Sequence, residues 1–176
     1  NYNEYNSLCK STVKNGAMKE YDKITEDHIR DYQKLFKRVE ISLGKTDNVN
    51  RLPTDERFAQ YNAGNNDPNF CALFMQYSRY LLISCSRGNS PLPANLQGVW
   101  NDNLAANMPW TCDYHLDINT QQNYWAANVT NLAECNAPLF DFIEYLARCG
   151  EETAEKVYGS PGWVAHTVTN VWGYTA

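Results

Sequence analysis

Apolar side chains recur every three or four residues after Thr25, the spacing of one face of an α-helix. They are Ile29, Tyr32, Leu35, Phe36, Val39 and Leu43. Thr25 suits the N-cap, because its hydroxyl can accept from first-turn amides, and Gly44 suits the end. The pattern predicts an amphipathic helix over 25–44. Residues 1–23 are polar without a sustained period and are predicted to be a linker or the remnant of a preceding domain.

Start signals predict two helices in the middle of the chain. Thr54, followed by two acidic residues, begins a short helix, because acids favour a helix N-terminus. Asp67 followed by Pro68 combines a cap with proline at the first helical position and begins a third helix. Residues 87–113 hold three prolines and two glycines, which predicts a long irregular connection. Loops of that length are commonly functional.

The last third of the chain is also predicted to be helical. Residues 120–127 form one helix, and Pro138 begins another that ends at Gly150. A separate helix is predicted over 151–158. Strand signals are weak and no repeat of 20 to 50 residues is visible. The predicted fold class is therefore all-α, built from helical hairpins.

Charge and composition restrict the partners that we expect. The chain of 176 residues has a net charge of −5, and its lysines and arginines form no long run. A nucleic-acid or anionic-membrane partner is therefore disfavoured. No apolar stretch reaches transmembrane length. The first residues lack the apolar core of a signal peptide, so we expect any export signal to be missing from this sequence.

The six cysteines contain no Cys-x-x-Cys pair, so metal binding by cysteine is not expected. Cys71 and Cys85 lie at opposite ends of a predicted helix, about 20 Å apart, which is too far for one disulfide. The same holds for Cys135 and Cys149. Pairing of Cys112 with Cys135 remains open, and the simplest expectation is free, buried thiols.

Tryptophans and side-chain amides are concentrated in residues 92–125. Trp100, Trp110 and Trp125 lie there among amides such as Asn101. Indole faces cover the C–H faces of sugars, while amides and carboxylates bind hydroxyl groups. The composition favours a carbohydrate site.

The run HLDIN lies within this stretch. Its polar members His115, Asp117 and Asn119 alternate with apolar Leu116 and Ile118. A two-residue period sends all three polar groups to one side if the backbone is extended. We therefore expect an extended segment with one polar face.

Four motifs, LPANLQGVWN, DYHLDINTQQNYW, APLFDFIEYLA and GWVAHTVTNVWG, resemble in order and spacing the start of the catalytic domain of glycoside hydrolase family 95. That family contains α-L-fucosidases acting on terminal α-1,2-linked fucose and some α-L-galactosidases. The resemblance extends from about Ile24 to Ala176. It implies that residues 24–176 are the first part of an (α/α)6 barrel, an incomplete helical toroid whose partner is the remainder of the same polypeptide.

The resemblance also implies a mechanism. Hydrolysis in the family inverts configuration: a glutamic acid protonates the leaving group, and an aspartate activates water with help from two amides. Both carboxylates lie downstream of Ala176, so the isolated fragment is expected to be inactive. The amide pair maps onto Asp117 and Asn119. Asp117 departs from the family's Asn-x-Asn arrangement, which leaves its role open; a helix cap or a buried salt bridge is the alternative.

Further site residues follow from the same resemblance. The residues expected to bind substrate are His115, His166, Trp110, Trp100 and Asn101. The family implies no metal and no cofactor, a fucosylated oligosaccharide substrate, and a secreted or periplasmic setting. Two alternatives stay open. One is an α-L-galactosidase of the same family, and the other is a non-catalytic helical module that binds carbohydrate or protein.

Overall fold

The computed structural model describes residues 1–45, 48–98 and 112–176. These residues form two compact units, Asn1–Arg38 and Val39–Ala176. Six α-helices, two single-turn 3-10 helices and one two-stranded ribbon lie in the described residues. The all-α prediction is confirmed, and the helical content is consistent with part of a helical barrel. No helix in the described ranges is both long and apolar enough to cross a bilayer.

The first unit contains two helices, α1 over Tyr2–Ala17 and α2 over Tyr21–Phe36. The side chain of Asn1 caps α1 by accepting from the Asn3 amide at 3.0 Å. No side chain of α1 is buried within the described structure. Helix α1 occupies most of the stretch predicted as a linker or domain remnant, and that domain assignment stays a prediction.

The predicted start of α2 at Thr25 is wrong. The helix begins four residues earlier, at Tyr21, with Glu20 at the N-cap. Thr25 therefore lies inside the helix, where its hydroxyl donates to the carbonyl of Tyr21 at 3.1 Å. A threonine can bond back to the preceding turn in this way, so its presence alone does not mark a helix start.

The predicted end of α2 at Gly44 is wrong as well. The helix stops at Phe36, although Val39 and Leu43 continue the apolar spacing. Val39 belongs to the second unit, and its carbonyl accepts from Gln76 Nε2 at 2.9 Å and from Arg79 Nη1 at 3.1 Å. That carbonyl is therefore hydrogen-bonded by side chains of residues 68–85, the fourth helix of the chain, and not by the helix that precedes it.

The second unit begins with a 3-10 turn over Asn48–Arg51, followed by α3 over Thr54–Asn62 and α4 over Pro68–Cys85. Both predicted helix starts are confirmed. The carboxylate of Asp67 caps α4 by accepting from the Phe70 amide at 2.9 Å.

Asp67 also binds Arg57 of α3. The guanidinium donates from Nε and Nη2 to the two carboxylate oxygens, each at 3.0 Å. Arg57 is 7% exposed and Asp67 is 2% exposed, and the guanidinium lies 5.4 Å from the centre of the Phe70 ring. A bidentate, buried ion pair therefore joins α3 to the start of α4.

Three helical segments follow residue 112. Helix α5 covers Asn119–Val129, a 3-10 turn covers Ala133–Asn136, and α6 covers Ala137–Tyr158. The predicted helix over 120–127 is confirmed within α5. Pro138 lies in the first turn of α6, where it lacks only an amide that has no intrahelical partner.

The predicted break at Gly150 is wrong, because α6 runs through it without interruption. Gly150 instead permits a close crossing. A side chain there would clash with the carbonyl oxygen of Val164 and would lie 3.0 Å from its nitrogen. The Val164 amide donates to the Gly150 carbonyl at 3.3 Å. The helix ends at Gly159, whose φ of 59° gives the left-handed C-cap that glycine favours.

A short ribbon packs on α6. Strands β1, Tyr114–His115, and β2, Val168–Thr169, pair antiparallel, with Tyr114 opposite Thr169 and His115 opposite Val168. Tyr114 is buried with Phe142 and Leu146 of α6, and its ring centre lies 4.6 Å from that of Phe142. Burial, with Tyr124 and Cys112 nearby, raises the pKa of Tyr114 to about 12.

A buried hydroxyl network holds the connection after α4. Residues 86–98 contain no helix or strand, as predicted, and the rest of that connection, 99–111, lies outside the described residues. The Ser86 hydroxyl donates to the Cys135 carbonyl at 2.7 Å, so it accepts from the Tyr124 hydroxyl at 2.8 Å. That phenol in turn accepts from the Ala94 amide at 2.7 Å. The network joins Ser86 and Ala94 of the connection to α5 and to the second 3-10 turn.

As expected, no disulfide joins any of the six cysteines, all of which lie in the described residues, and Cys112 does not pair with Cys135. The expectation that all are buried is wrong, because only Cys85 and Cys135 are buried. Burial, with Cys135 nearby, raises the pKa of the Cys85 thiol to about 11. This cysteine is therefore a packing residue, since a thiol is reactive mainly as its thiolate.

Candidate functional site

Residues 114–119 do not form one extended segment. Tyr114 and His115 form β1, residues 116–118 form a turn, and Asn119 is the first residue of α5. The expectation that His115, Asp117 and Asn119 share one face of a strand is therefore wrong. Pairing with β2 stops at His115, and the chain must then turn to enter α5.

His115 is half-buried and faces a carboxylate. Its Nε2 atom lies 2.9 Å from Oδ1 of Asp113, which gives an ion pair whenever the imidazole is protonated. The Asp113 carbonyl accepts from the Leu96 amide at 2.9 Å. The histidine therefore lies beside an acid whose backbone is tied to Leu96.

Asp113 is the site residue that the sequence reasoning missed. A signal was present in the chain. Asp113 and His115 are two residues apart, and that spacing puts side chains on the same side of a strand. The polar alternation therefore begins at Asp113 and ends at His115.

Asp117 is exposed in the turn before α5. It is not the cap of that helix, because Ile118 occupies the N-cap position and makes no side-chain capping hydrogen bond. The alternative of a helix cap or a buried salt bridge for Asp117 is therefore wrong in the described structure. The turn is closed instead by Gln121, whose Nε2 donates to the Leu116 carbonyl at 2.6 Å.

Asn119 is half-buried at the first position of α5. The backbone amides at a helix N-terminus have no intrahelical acceptors and carry partial positive charge. A neutral amide beside that positive end can hold a water molecule and orient a carboxylate without adding charge. The water-positioning role expected of Asn119 stays a prediction.

His166 is held by two contacts within the chain. Its Nδ1 lies 2.7 Å from the Thr175 carbonyl, which can only accept, so Nδ1 carries a proton. Its Nε2 lies 2.7 Å from the Tyr158 hydroxyl and accepts from it when the ring is neutral. A hydrogen bond to sugar would have to replace one of these contacts. The predicted substrate role of His166 stays a prediction.

The ribbon brings two of the sequence motifs side by side. The Leu116 amide donates to the Thr167 carbonyl at 2.7 Å, next to the pairing of His115 with Val168. The HLDIN and GWVAHTV motifs are therefore neighbours. Trp100, Trp110 and Asn101, the other predicted substrate-binding residues, lie outside the described residues.

Two cavities flank α5. One, of about 290 Å³, lies between α4, α5 and residues 94–98, and Gln122 and Asn123 line it. The other, of about 280 Å³, lies against α6, and Leu116, Thr120 and Gln121 line it. His115, Asp117 and Asn119 line neither of them. No cluster of three or more potential metal ligands occurs in the described part of the chain.

The sequence matches a known catalytic domain. The sequence model of the glycosyl hydrolase family 95 catalytic domain matches residues 20–176. Alpha-L-fucosidase 2 from Arabidopsis thaliana is 40% identical over 172 residues, which is 96% of this chain and 20% of that protein.

Two fungal proteins are similar to the same extent. Probable alpha-fucosidase A from Aspergillus niger is 40% identical over 167 residues, 94% of this chain and 21% of that protein. Probable alpha-fucosidase A from Aspergillus oryzae is 40% identical over 157 residues, 87% of this chain and 21% of that protein. The chain thus spans about one-fifth of the length of the curated relatives it matches.

Proposed function

The chain belongs to the catalytic domain of glycosyl hydrolase family 95, and we propose on this basis that it forms one wall of the sugar pocket of an inverting α-L-fucosidase. The proposed substrate is an oligosaccharide with a terminal α-1,2-linked fucose. The observation that carries the proposal is 40% identity, over nearly the whole chain, to a protein named as an alpha-L-fucosidase. The adjacency of the HLDIN and GWVAHTV motifs at the β1–β2 ribbon supports it.

In this proposal Asn119 holds the attacking water and orients the catalytic base. Inverting hydrolysis needs an acid for the leaving oxygen and a base that activates water on the opposite face of the sugar. The half-buried amide at the start of α5 supplies a donor and an acceptor next to the positive end of the helix. His115, whose Nε2 lies 2.9 Å from Asp113, is proposed to donate to a sugar hydroxyl.

The proposal assigns the acid and the base to the polypeptide beyond Ala176. The isolated 176 residues are then expected to show no turnover. Purified chain and full-length enzyme are to be compared on a 2′-fucosyl oligosaccharide at equal molar concentration. Activity of the isolated chain equal to that of the whole enzyme would contradict the assignment of the acid and the base to residues beyond Ala176.

Replacing Asn119 by Ala in the full-length enzyme should lower kcat by about a hundredfold and change KM by less than about threefold. A water-positioning group acts mainly in the transition state, so its loss appears in kcat. The measurement is steady-state hydrolysis of an aryl α-L-fucoside. The matched control is Asn62→Ala, at the exposed end of α3. A purely structural role of Asn119 predicts instead a reduced fraction of active enzyme with kcat per active site unchanged.

A further inference from the structure

Asp113 and His115 lie on the same side of strand β1. Asp113 immediately precedes the strand, and His115 is its last residue. Tyr114 between them is 3% exposed and packs with Phe142 and Leu146 in the core. Residues two apart in an extended chain project to the same side, and the residue between them projects to the other. The carboxylate and the imidazole therefore face each other on a backbone that the buried tyrosine anchors.

The contact between the two side chains is short and partly shielded from water. Nε2 of His115 lies 2.9 Å from Oδ1 of Asp113, and the side chains are 23% and 18% exposed. The Oδ1 atom itself is inaccessible to solvent. Two opposite charges attract each other more strongly in such a place than in open water. The geometry therefore favours an ion pair at this position.

The chemistry of the carboxylate determines which ring atom carries a proton. An ionised carboxylate can only accept, so Nε2 must be protonated to be attracted to it. A neutral imidazole with that proton would offer only an acceptor at Nδ1, whereas the charged imidazole offers an N–H on both nitrogens. The attraction to Asp113 is strongest for the charged ring. With Nε2 next to the acid, Nδ1 is the ring atom left for a ligand.

The other histidine near the ribbon has different neighbours. His166 lies against the Thr175 carbonyl and the Tyr158 hydroxyl, which are both uncharged groups. His115 also lies closer in the chain to the proposed water-positioning residue, because only the turn over 116–118 separates it from Asn119. A charged donor is therefore more useful to a substrate at His115 than at His166.

We propose that Asp113 is a positioning residue for substrate binding. Its carboxylate holds His115 in the charged form with Nε2 toward the acid, so that Nδ1–H donates to a hydroxyl of a neutral sugar. Hydrogen bonds from a charged donor are roughly twice as strong as neutral ones. The inference rests on the proposed function and adds to it the charge of the donor and the source of the countercharge. The acid and the imidazole together carry no net charge, which suits an uncharged ligand.

The test is made in the full-length enzyme with an aryl α-L-fucoside. Asp113→Asn removes the negative charge but keeps the side-chain size and the backbone bond from the Leu96 amide. We expect KM to rise about tenfold and kcat to stay within about threefold, because the weakened bond is made in both the ground state and the transition state. Asp141→Asn, at an exposed acid of α6, is the matched control and should leave both constants unchanged.

A double-mutant cycle separates positioning from a merely structural role. His115→Gln removes the ring that Asp113 is proposed to act through, and it should raise KM at least as much as Asp113→Asn does. In the His115→Gln background, Asp113→Asn should then change KM by less than about twofold. If Asp113 only supports the fold, the two losses should multiply.

Three outcomes would each overturn the inference. They are losses that multiply, an unchanged KM in Asp113→Asn, and an Asp113→Asn enzyme that does not fold. Wild-type hydrolysis of the aryl fucoside leaves the proposed function standing in those cases. A wild-type enzyme that does not hydrolyse the fucoside would overturn the proposed function and this inference with it.

Discussion

Gly150 lets a second segment of backbone lie directly on α6. The Val164 carbonyl occupies the position that a side chain at Gly150 would take. The amide of Val164 uses the Gly150 carbonyl as its acceptor, so the crossing is also hydrogen-bonded. This contact fixes the chain between α6 and β2, and therefore the approach of the GWVAHTV motif to the ribbon.

Gly150→Ala should destabilise the chain by about 2 kcal/mol, because inserting one methyl group into a tight contact forces the backbone to shift. Urea unfolding of the chain and its variants at matched protein concentration measures this. Gly16→Ala is the control: Gly16 lies in α1 and has open space around the position of a side chain. That change should be neutral or stabilise by up to about 1 kcal/mol. Equal effects of the two substitutions would contradict the packing argument.

Because the pKa of Tyr114 is raised, the free energy of unfolding should fall at high pH. Burial raises its pKa to about 12, from an ordinary value of 10.0. Because the folded pKa is the higher one, the unfolded chain releases the proton first, and the stabilisation present below pH 10 is lost as the pH rises toward 12. Urea unfolding between pH 9 and 12 should show this decline.

Tyr114→Phe removes one titrating group and should reduce that decline between pH 10 and 12. The remaining decline is expected from Cys85, whose pKa is raised to about 11, and from Tyr124, whose pKa burial also raises. The control is Tyr2→Phe, because Tyr2 is exposed in α1. The same pH dependence in Tyr114→Phe and in wild type would contradict this assignment.

At the scale of elements, first-turn signals located the starts of α3 and α4, whereas the capping signal at Thr25 did not locate the start of α2. The starts of α3 and α4 follow from Thr54 and from Asp67 with Pro68, signals that act within one helical turn. Apolar spacing could not give the end of α2, because the Val39 carbonyl is bound by α4, far along the chain. A glycine in a helical sequence can either end the helix or permit a close tertiary contact. Gly150 has the sequence signature of a helix end, but it serves a tertiary contact.

The sequence indicated part of the candidate site but missed Asp113, the acid beside His115. The HLDIN motif directed attention to His115 and Asn119, and alternation alone made them appear to share a strand. The strand ends at His115 because its partner, β2, is two residues long.

Asp67→Ala should lower the free energy of unfolding by about 3 to 5 kcal/mol. The substitution leaves the Arg57 guanidinium buried without its carboxylate and also removes the cap of α4. The control is Asp55→Ala, an exposed acid in the first turn of α3, which should cost less than about 1 kcal/mol. Urea unfolding measures both. A small cost at Asp67 would contradict a linking role for the pair.

At the scale of the whole molecule, the second unit exposes large apolar side chains on its helices. On α4, Phe74 is 69% exposed and Tyr77 is 54% exposed, and Phe140 of α6 is 58% exposed. Exposed apolar surface of this kind marks a protein interface or an aggregation liability. An incomplete helical toroid, which the family resemblance implies, would expose apolar helix faces of this kind.

The isolated chain should therefore self-associate. Light scattering at increasing protein concentration is expected to give an apparent mass above the 20.2 kDa of one chain. The double variant Phe74→Lys and Phe140→Lys should shift the apparent mass toward that of one chain, because lysine opposes apolar association. Its control is Tyr2→Lys with Val13→Lys, on α1. A monomeric wild-type chain throughout the concentration range would contradict the prediction.

The two-residue ribbon has a consequence for synthesis of the protein on the ribosome. Tyr114 and His115 find their partners only in Val168 and Thr169, so β1 stays unpaired until β2 has left the exit tunnel. Helices α5 and α6, whose hydrogen bonds are local, can form earlier. Translation that stops before Val168 would release a polypeptide with formed helices and an unanchored histidine.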